Sequence, residues 1–378
     1  MHHVLQSSPV PGDGTSFYRG FMPYSLVNMF SDINVENVGA IQKVSWEMLS
    51  KYQAICLQRP FNATHLHQIT QMKRMRPDLH IIADYDADHY NVMSDNPFYQ
   101  LYHGQRENFL QCLKLADVVT TSTAYLQETL QKHTNKHVIL IPNTLPPEKL
   151  WLRKTRTESK RKLLWRGGSS HRRDVRKYAH TLNAFLSTTP DIHFHMIGQG
   201  AFDEMEDSAK VFHAKITSEQ GLIEYANGSK IDLNNGMDLP IFYQYLIAQQ
   251  AHAMVVPLHD CHFNRCKSNI AMLEAVLAGA RPIVPKWKSW LKPSGEKYDH
   301  VLYYTDKEKM RKCLEIAFDE PYDGEKMEKL HEELRNDFDW KKTTLMRQRL
   351  LNDVCGQWAS QVCRLTPKNS APLPTAVD

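Results

Sequence analysis

The stretch CHFNRCKSNIAMLEAVLAGARPIVP, residues 261–285, decides how this chain is read. It runs as a polar, basic loop, a short apolar helix and a buried strand. Ser268 is placed as the N-cap, where a hydroxyl satisfies one of the free N–H groups of the first turn. Ile270, Leu273, Val276 and Leu277 share a face at helical spacing. Gly279 ends the helix, and Arg281–Pro285 follows as a short strand. A helix start preceded by Arg265, Lys267 and Ser268 is an anion site, because unpaired N–H groups and the helix dipole both favour negative charge. Glu274 lies about a turn and a half inside the helix. The loop therefore offers donors to a diphosphate, and the helix offers a carboxylate to a ribose diol.

A second element with the same chemistry lies upstream. LLWRGGSSHRRD, residues 163–174, is an apolar strand that runs into Arg166, Gly167, Gly168 and Ser169, then into Arg172 and Arg173. Glycines after a strand let a phosphate approach the backbone, and the N–H groups of such a turn can bind it. The spacing is neither GxGxxG nor a P-loop, so it is no dinucleotide or ATP signature.

Outward from these two elements the chain alternates strand and helix. Strands are expected at Ala54–Gln58, 80–83, 117–121 and 137–141, with helices at 63–76, 107–115 and 124–133. A basic, proline-containing segment, 145–162, breaks the series and reads as a linker. A second series follows, with strands at 163–165, 192–197, 222–225 and 253–257. Such alternation means parallel sheets built from βαβ units. The expected fold class is α/β, with two doubly wound domains facing across a cleft and a ligand at the carboxyl ends of the strands. Residues 325–358 read as amphipathic helix, and 363–378 as a disordered, proline-rich tail.

The 378 residues suit two domains, and 42% hydrophobic with 23% charged residues suits a soluble protein. No apolar run reaches membrane-spanning length, and the N-terminus lacks a signal pattern. Seven scattered cysteines suggest a reducing cytoplasm. The net charge of +4 permits an anionic partner.

Other groups carry chemistry of their own. PGDGTSFYRGFMP, residues 11–23, is a Gly-rich loop with Gly14, and its Tyr18 and Arg19 are placed on acceptor or phosphate. DYDADHYN, residues 84–91, twice spells Asp-x-Asp, a pattern that can hold a divalent metal between phosphates. Its Asp86, Asp88 and His89 are expected to line the cleft, without a metal, because the basic loops already supply cations. Cys261, His262 and Cys266 lack the partners of a closed zinc site. His193 and His195 alternate with apolar residues and read as structural. Tyr225 precedes an aromatic, amphipathic stretch, 231–245.

The donor elements resemble those of retaining glycosyltransferases with the GT-B fold. That family places one Glu before the helix and a second eight positions later; Glu274 matches the second, and Cys266 stands where the first would be. The FNRCKSN variant resembles a subgroup with Phe-Asn-Arg-Ser-Lys-Ser, found in bacterial surface-sugar enzymes and bacteriophage enzymes. The resemblance implies an N-terminal acceptor domain (1–150), a nucleotide-sugar domain (151–340) and a helix crossing back to the first domain (341–362). It implies a UDP-linked sugar as co-substrate, with no cofactor and no metal. Donor contacts fall on Gly14, Gly167, Gly168, Ser169, Arg172, Arg265, Ser268, Asn269 and Glu274. Arg166 and Lys267 stabilise the departing diphosphate, and Asp88 and His89 serve the acceptor side. The resemblance also implies that Tyr225 holds the nucleotide base. The implied acceptor is a hydroxymethylated base in double-stranded DNA, inside a host cytoplasm. The alternatives are surface-polysaccharide synthesis and a nucleotide-sugar-binding subunit without activity. Sugar, nucleotide and oligomeric state stay open.

Overall fold

The computed structural model describes residues 2–10, 12–147, 156–198, 223–234 and 237–356. The expected tail, 363–378, lies outside them, as do residues 148–155 of the 145–162 segment.

Two sheets organise the chain. The first is wholly parallel, in the order β2-β1-β3-β4-β5-β6. Its strands are β1 (His2–Ser7), β2 (Ile33–Val38), β3 (Ala54–Gln58), β4 (His80–Tyr85), β5 (Val118–Thr121) and β6 (Val138–Leu140). Successive side chains go to opposite faces. Leu5, Ile55, Leu57, Ile81 and Ala83 enter one apolar cluster, while Val4, Ala54, Cys56 and Ile82 enter another. Burial on both faces explains why the central strands read as continuous apolar runs. β1 and β2 escaped the sequence reading. β2, INVENV, is an edge strand whose polar positions face water, and β1 opens on two histidines.

The second sheet has the order β13-β12-β11-β7-β8-β10-β9. Its strands are β7 (Lys160–Arg166), β8 (His193–Ile197), β9 (Ile223–Glu224), β10 (Lys230–Asn234), β11 (Ala251–Val255), β12 (Arg281–Pro285) and β13 (Leu302–Tyr304). All pairings are parallel except that of β9 with β10. Leu163, Trp165, Ala253 and Val255 face one cluster, and Leu164 and Met254 the other.

The C-terminal run is two helices, Gly324–Asp337 and Trp340–Cys355, broken at Phe338 and Asp339. Asp339 caps the second by accepting from Lys341 N at 2.9 Å. Leu350, Leu351 and Val354 of that helix pack on Val4, Tyr24 and Val27 of the first half. Burying such side chains stabilises the contact by about 1.5–3 kcal/mol each. Among the described residues no helix is long and apolar enough to cross a membrane.

The described basic residues of the linker hold structure together. Lys160, Arg161 and Lys162 begin β7. Arg156 donates to the carbonyls of Ala251 and Gly279 and lies over the Tyr322 ring at 4.9 Å. Arg161 stacks on Phe318, and Lys162 donates to Gln249 Oε1 at 2.7 Å. Arg347 is buried beside Tyr24 rather than exposed on the helix surface.

Candidate functional site

The two sheets turn their carboxyl edges toward each other, so residues that directly follow the strands meet in one cleft. β7 ends at Arg166, and the Gly167 N–H donates to Ile197 O at 3.0 Å. Gly198, at the end of β8, has φ of 132°, and a Cβ there would sit 1.7 Å from Gly167 O. Only glycine allows that approach. Gly168 faces open space. Ser169–His171 is a single 3-10 turn that feeds helix Arg172–Thr188.

Arg166 forms an ion pair with Glu274, which is 1% exposed in a helix, Ile270–Leu277, that is nearly all buried. A third partner comes from the other half. Tyr18 donates to Glu274 Oε1 at 2.5 Å, and its hydroxyl also meets that of Tyr243. Tyr18 sits on a π-helical turn, Phe17–Phe21, just after the short helix Gly14–Ser16 that Gly14 opens. Such turns are rare and recur at functional sites. Burial pushes the Glu274 carboxyl up to about 7, although Arg166 opposes the rise.

Lys267 reaches the same edge. Its Nζ lies 3.3 Å from His171 Nδ1 and 5.1 Å from the centre of the Phe263 ring. Burial lowers its pKa. Asp174, which sequence reasoning did not single out, holds this region together. Its Oδ1 accepts from His259 N at 2.9 Å and Asn264 Nδ2 at 2.7 Å, and its Oδ2 meets His171 Nδ1 at 3.1 Å. It thereby ties the 259–264 loop to the helix after Arg166. A lone Asp directly after a pair of arginines gives no signal of this in the sequence.

Several expected positions come out differently. Asn269, not Ser268, is the N-cap, without a side-chain cap bond. The Ser268 hydroxyl instead accepts from Asn143 Nδ2 at 2.9 Å, across the cleft. Arg265 is exposed and paired with Asp260 at 2.6 and 2.8 Å. Arg172 opens its helix, and Arg173 pairs with Asp95 of the first half at 2.5 Å. Tyr225 donates to Asn183 at 2.7 Å, in the turn ahead of β10. That is the amino end of the parallel strands, opposite the cleft edge.

On the facing edge the acidic cluster does not converge. Asp84 takes a bidentate bond from buried Arg19, at 3.0 and 2.5 Å, and another from Thr120 at 2.6 Å. Arg19 also donates to Ile141 O and Asn143 Oδ1, so it is a core residue and does not reach a phosphate. Asp86 is held by Arg59 at 2.6 and 3.1 Å. Burial favours its neutral acid, yet Arg59 outweighs that and keeps the carboxyl at about 2. Asp88 accepts from Tyr90 N, Asn91 N and Asn91 Nδ2, and lies 2.9 Å from His262 Nε2 of the second half. His89 stacks on Tyr102 at 4.6 Å, and burial drives its pKa down to about 4, so the ring is neutral at pH 7.

Both edges carry buried polar atoms without a protein partner. They include Gln58 Oε1 and Nε2, Thr121 Oγ1, Ser122 Oγ and His89 Nδ1 on one side, and Asn269 Nδ2 and Arg166 Nη2 on the other. Native interiors rarely leave such groups unpaired, so their concentration at facing strand ends marks a place built for a polar ligand.

No protein-family model and no curated protein matches the sequence. Solved structures do match. An alpha-glucosyltransferase in complex with UDP superposes with a TM-score of 0.65 at 10% identity, over 93% of this chain and 100% of that one. The same kind of enzyme with UDP and a 13-mer DNA containing a HMU base gives 0.63 at 9% identity, over 93% and 99%. TarM gives 0.57 at 11% identity over 79% of this chain, which spans 54% of TarM's length. The chain has the GT-B fold. At 9–11% identity these likenesses speak to the fold alone.

Proposed function

We propose that this protein is a glycosyltransferase that moves a sugar from a nucleotide diphosphate sugar to an acceptor hydroxyl with retention at the anomeric carbon. The observation that carries the reading is the meeting of Arg166, Lys267 and buried Glu274 at the carboxyl edge of the second sheet. Two cations and unpaired donors suit a diphosphate, and a carboxylate behind them suits a ribose diol. In the reaction the bond from sugar to phosphate breaks, leaving charge on the diphosphate that Arg166 and Lys267 stabilise. The acceptor oxygen bonds to the same face of an oxocarbenium-like sugar, and its proton passes to the departing phosphate. No protein carboxylate need act as nucleophile, so Cys266 in place of a Glu is compatible with activity. UDP is the proposed nucleotide, supported by the likeness over 93% of this chain to an alpha-glucosyltransferase solved with UDP.

The acceptor we favour is a hydroxymethylated base in DNA, supported by the full-length likeness to an enzyme solved with DNA containing a HMU base. A saccharide acceptor is the second reading. It is favoured by the internal use of Arg156, Arg161, Lys162 and Arg347, which removes much of the free positive charge a duplex would need. The test is incubation with UDP-sugars and hydroxymethylated duplex DNA, followed by mass spectrometry of the DNA. A sugar adduct that falls steeply with salt supports DNA. Hydrolysis of the UDP-sugar with unmodified DNA leaves the transferase reading and moves the acceptor to a saccharide. No nucleotide-sugar binding at all refutes the function.

A further inference from the structure

β8 and β10 run in parallel, with His195 opposite Asp232 in the register. His193 and His195 are two residues apart on β8 and so share a face. Asp232 lies on that face between them. One of its oxygens meets His195 Nδ1, and the other is 3.0 Å from His193 Nε2. His193 Nε2 is a buried atom that makes no hydrogen bond of good geometry. The ligand atoms of the three residues all lie within 4.8 Å of one another. Behind them, His195 Nε2 is 2.7 Å from the Tyr245 hydroxyl, which itself accepts from Asn234 Nδ2 at 3.0 Å. A hydrogen bond to the far nitrogen is what orients a metal-ligating imidazole.

We propose that His193, His195 and Asp232 bind a divalent transition metal of the zinc class, which ties β8 to β10. Two imidazole nitrogens and one carboxylate form a borderline-soft donor set that suits Zn²⁺ or Co²⁺ rather than Ca²⁺ or Mg²⁺. Metal–ligand bonds of about 2.0–2.2 Å place tetrahedral ligands about 3.4 Å apart, so the carboxylate opens slightly from the 3.0 Å it keeps to His193, and the two ring nitrogens, within 4.8 Å of each other, close by at most about 1.4 Å. The side chains of His193 and Asp232 are 26% and 24% exposed, which leaves room for water at the fourth position. The site lies toward the amino ends of the strands, about 10 Å from the cleft edge at β8's end. It is therefore a structural site, apart from sugar transfer. A second triad, Asp88, His262 and Cys266, has ligand atoms equally close. There, however, Asp88 already accepts three other bonds, and Cys266 packs in the apolar core.

The test uses the full chain, stripped with a chelator and desalted, then titrated with Zn²⁺ and Co²⁺. We expect one equivalent bound at micromolar affinity or tighter. The cobalt form should show a four-coordinate visible spectrum without the near-ultraviolet thiolate band that Cys266 would give. Zinc at 100 times its Kd should raise the unfolding midpoint by about 5 °C. His193→Gln and Asp232→Asn, both at partly exposed positions, should keep the metal-free circular dichroism of the wild type and lose the bound equivalent. His262→Ala should retain it. Failure of the wild type to bind stoichiometrically overturns the proposal. So does a thiolate band, or a bound equivalent that survives in His193→Gln and Asp232→Asn.

Discussion

Glu274→Gln separates the charge of the buried carboxyl from its shape. In the folded protein burial raises this group from 4.5 to about 7. A carboxyl with a raised folded pKa favours the fold most when it is protonated. Its contribution is complete below pH 4.5, falls as pH rises from there, and is gone above about 7. The gap between the two values corresponds to about 3 kcal/mol. Glutamine mimics the protonated acid and does not titrate. Urea unfolding of both proteins at pH 4.5 and pH 8 should therefore show the variant gaining about 3 kcal/mol on the wild type over that interval. Nucleotide-sugar affinity gives a second readout, since a ribose diol donates best to the ionised carboxylate. Affinity of the wild type should rise with pH through about 7, and that of the variant should be weak and flat. Parallel stability profiles for the two proteins would refute the assignment of Glu274 as a buried group that titrates near neutrality.

Arg166→Ala and Lys267→Ala should each slow turnover by roughly 10²–10³, because they act on charge that develops as the diphosphate leaves; steady-state kinetics showing normal rates in both would remove that role. Tyr18→Phe frees Glu274 of a competing donor, so nucleotide-sugar affinity should tighten about tenfold by calorimetry. Asp174→Ala leaves buried donors at His259 and Asn264 unpaired, at about 1–3 kcal/mol each, and should lower the unfolding midpoint and the turnover together. Turnover should survive EDTA, since Asp84, Asp86 and Asp88 are held by separate partners; abolition by EDTA with rescue by Mn²⁺ would place a metal between them.

The parallel architecture was legible because strands buried on both faces must be apolar throughout, as AICLQ and RPIVP are. The edge strand INVENV and the histidine-led β1 were not legible, since a half-exposed strand has no such need. The meeting of the two basic loops was legible because chain direction alone puts Arg166, at the end of β7, and Lys267, ahead of a helix, on the carboxyl edge. The roles of the charged runs were not legible: Arg156, Arg161 and Arg347 look like free surface charge in the sequence, yet their side chains stack on rings and donate to carbonyls.

What the sequence determined by itself was therefore local. It set the period of burial, the direction of the strands and the residue types that follow them. The tertiary structure decided which distant groups meet. Tyr18 reaches Glu274 across 256 positions, Asp174 gathers His259 and Asn264, and Asp232 closes on two histidines from a neighbouring strand. A hydrogen bond or ion pair depends on a separation of a few ångströms between side chains, and only the packing of the two sheets sets that distance.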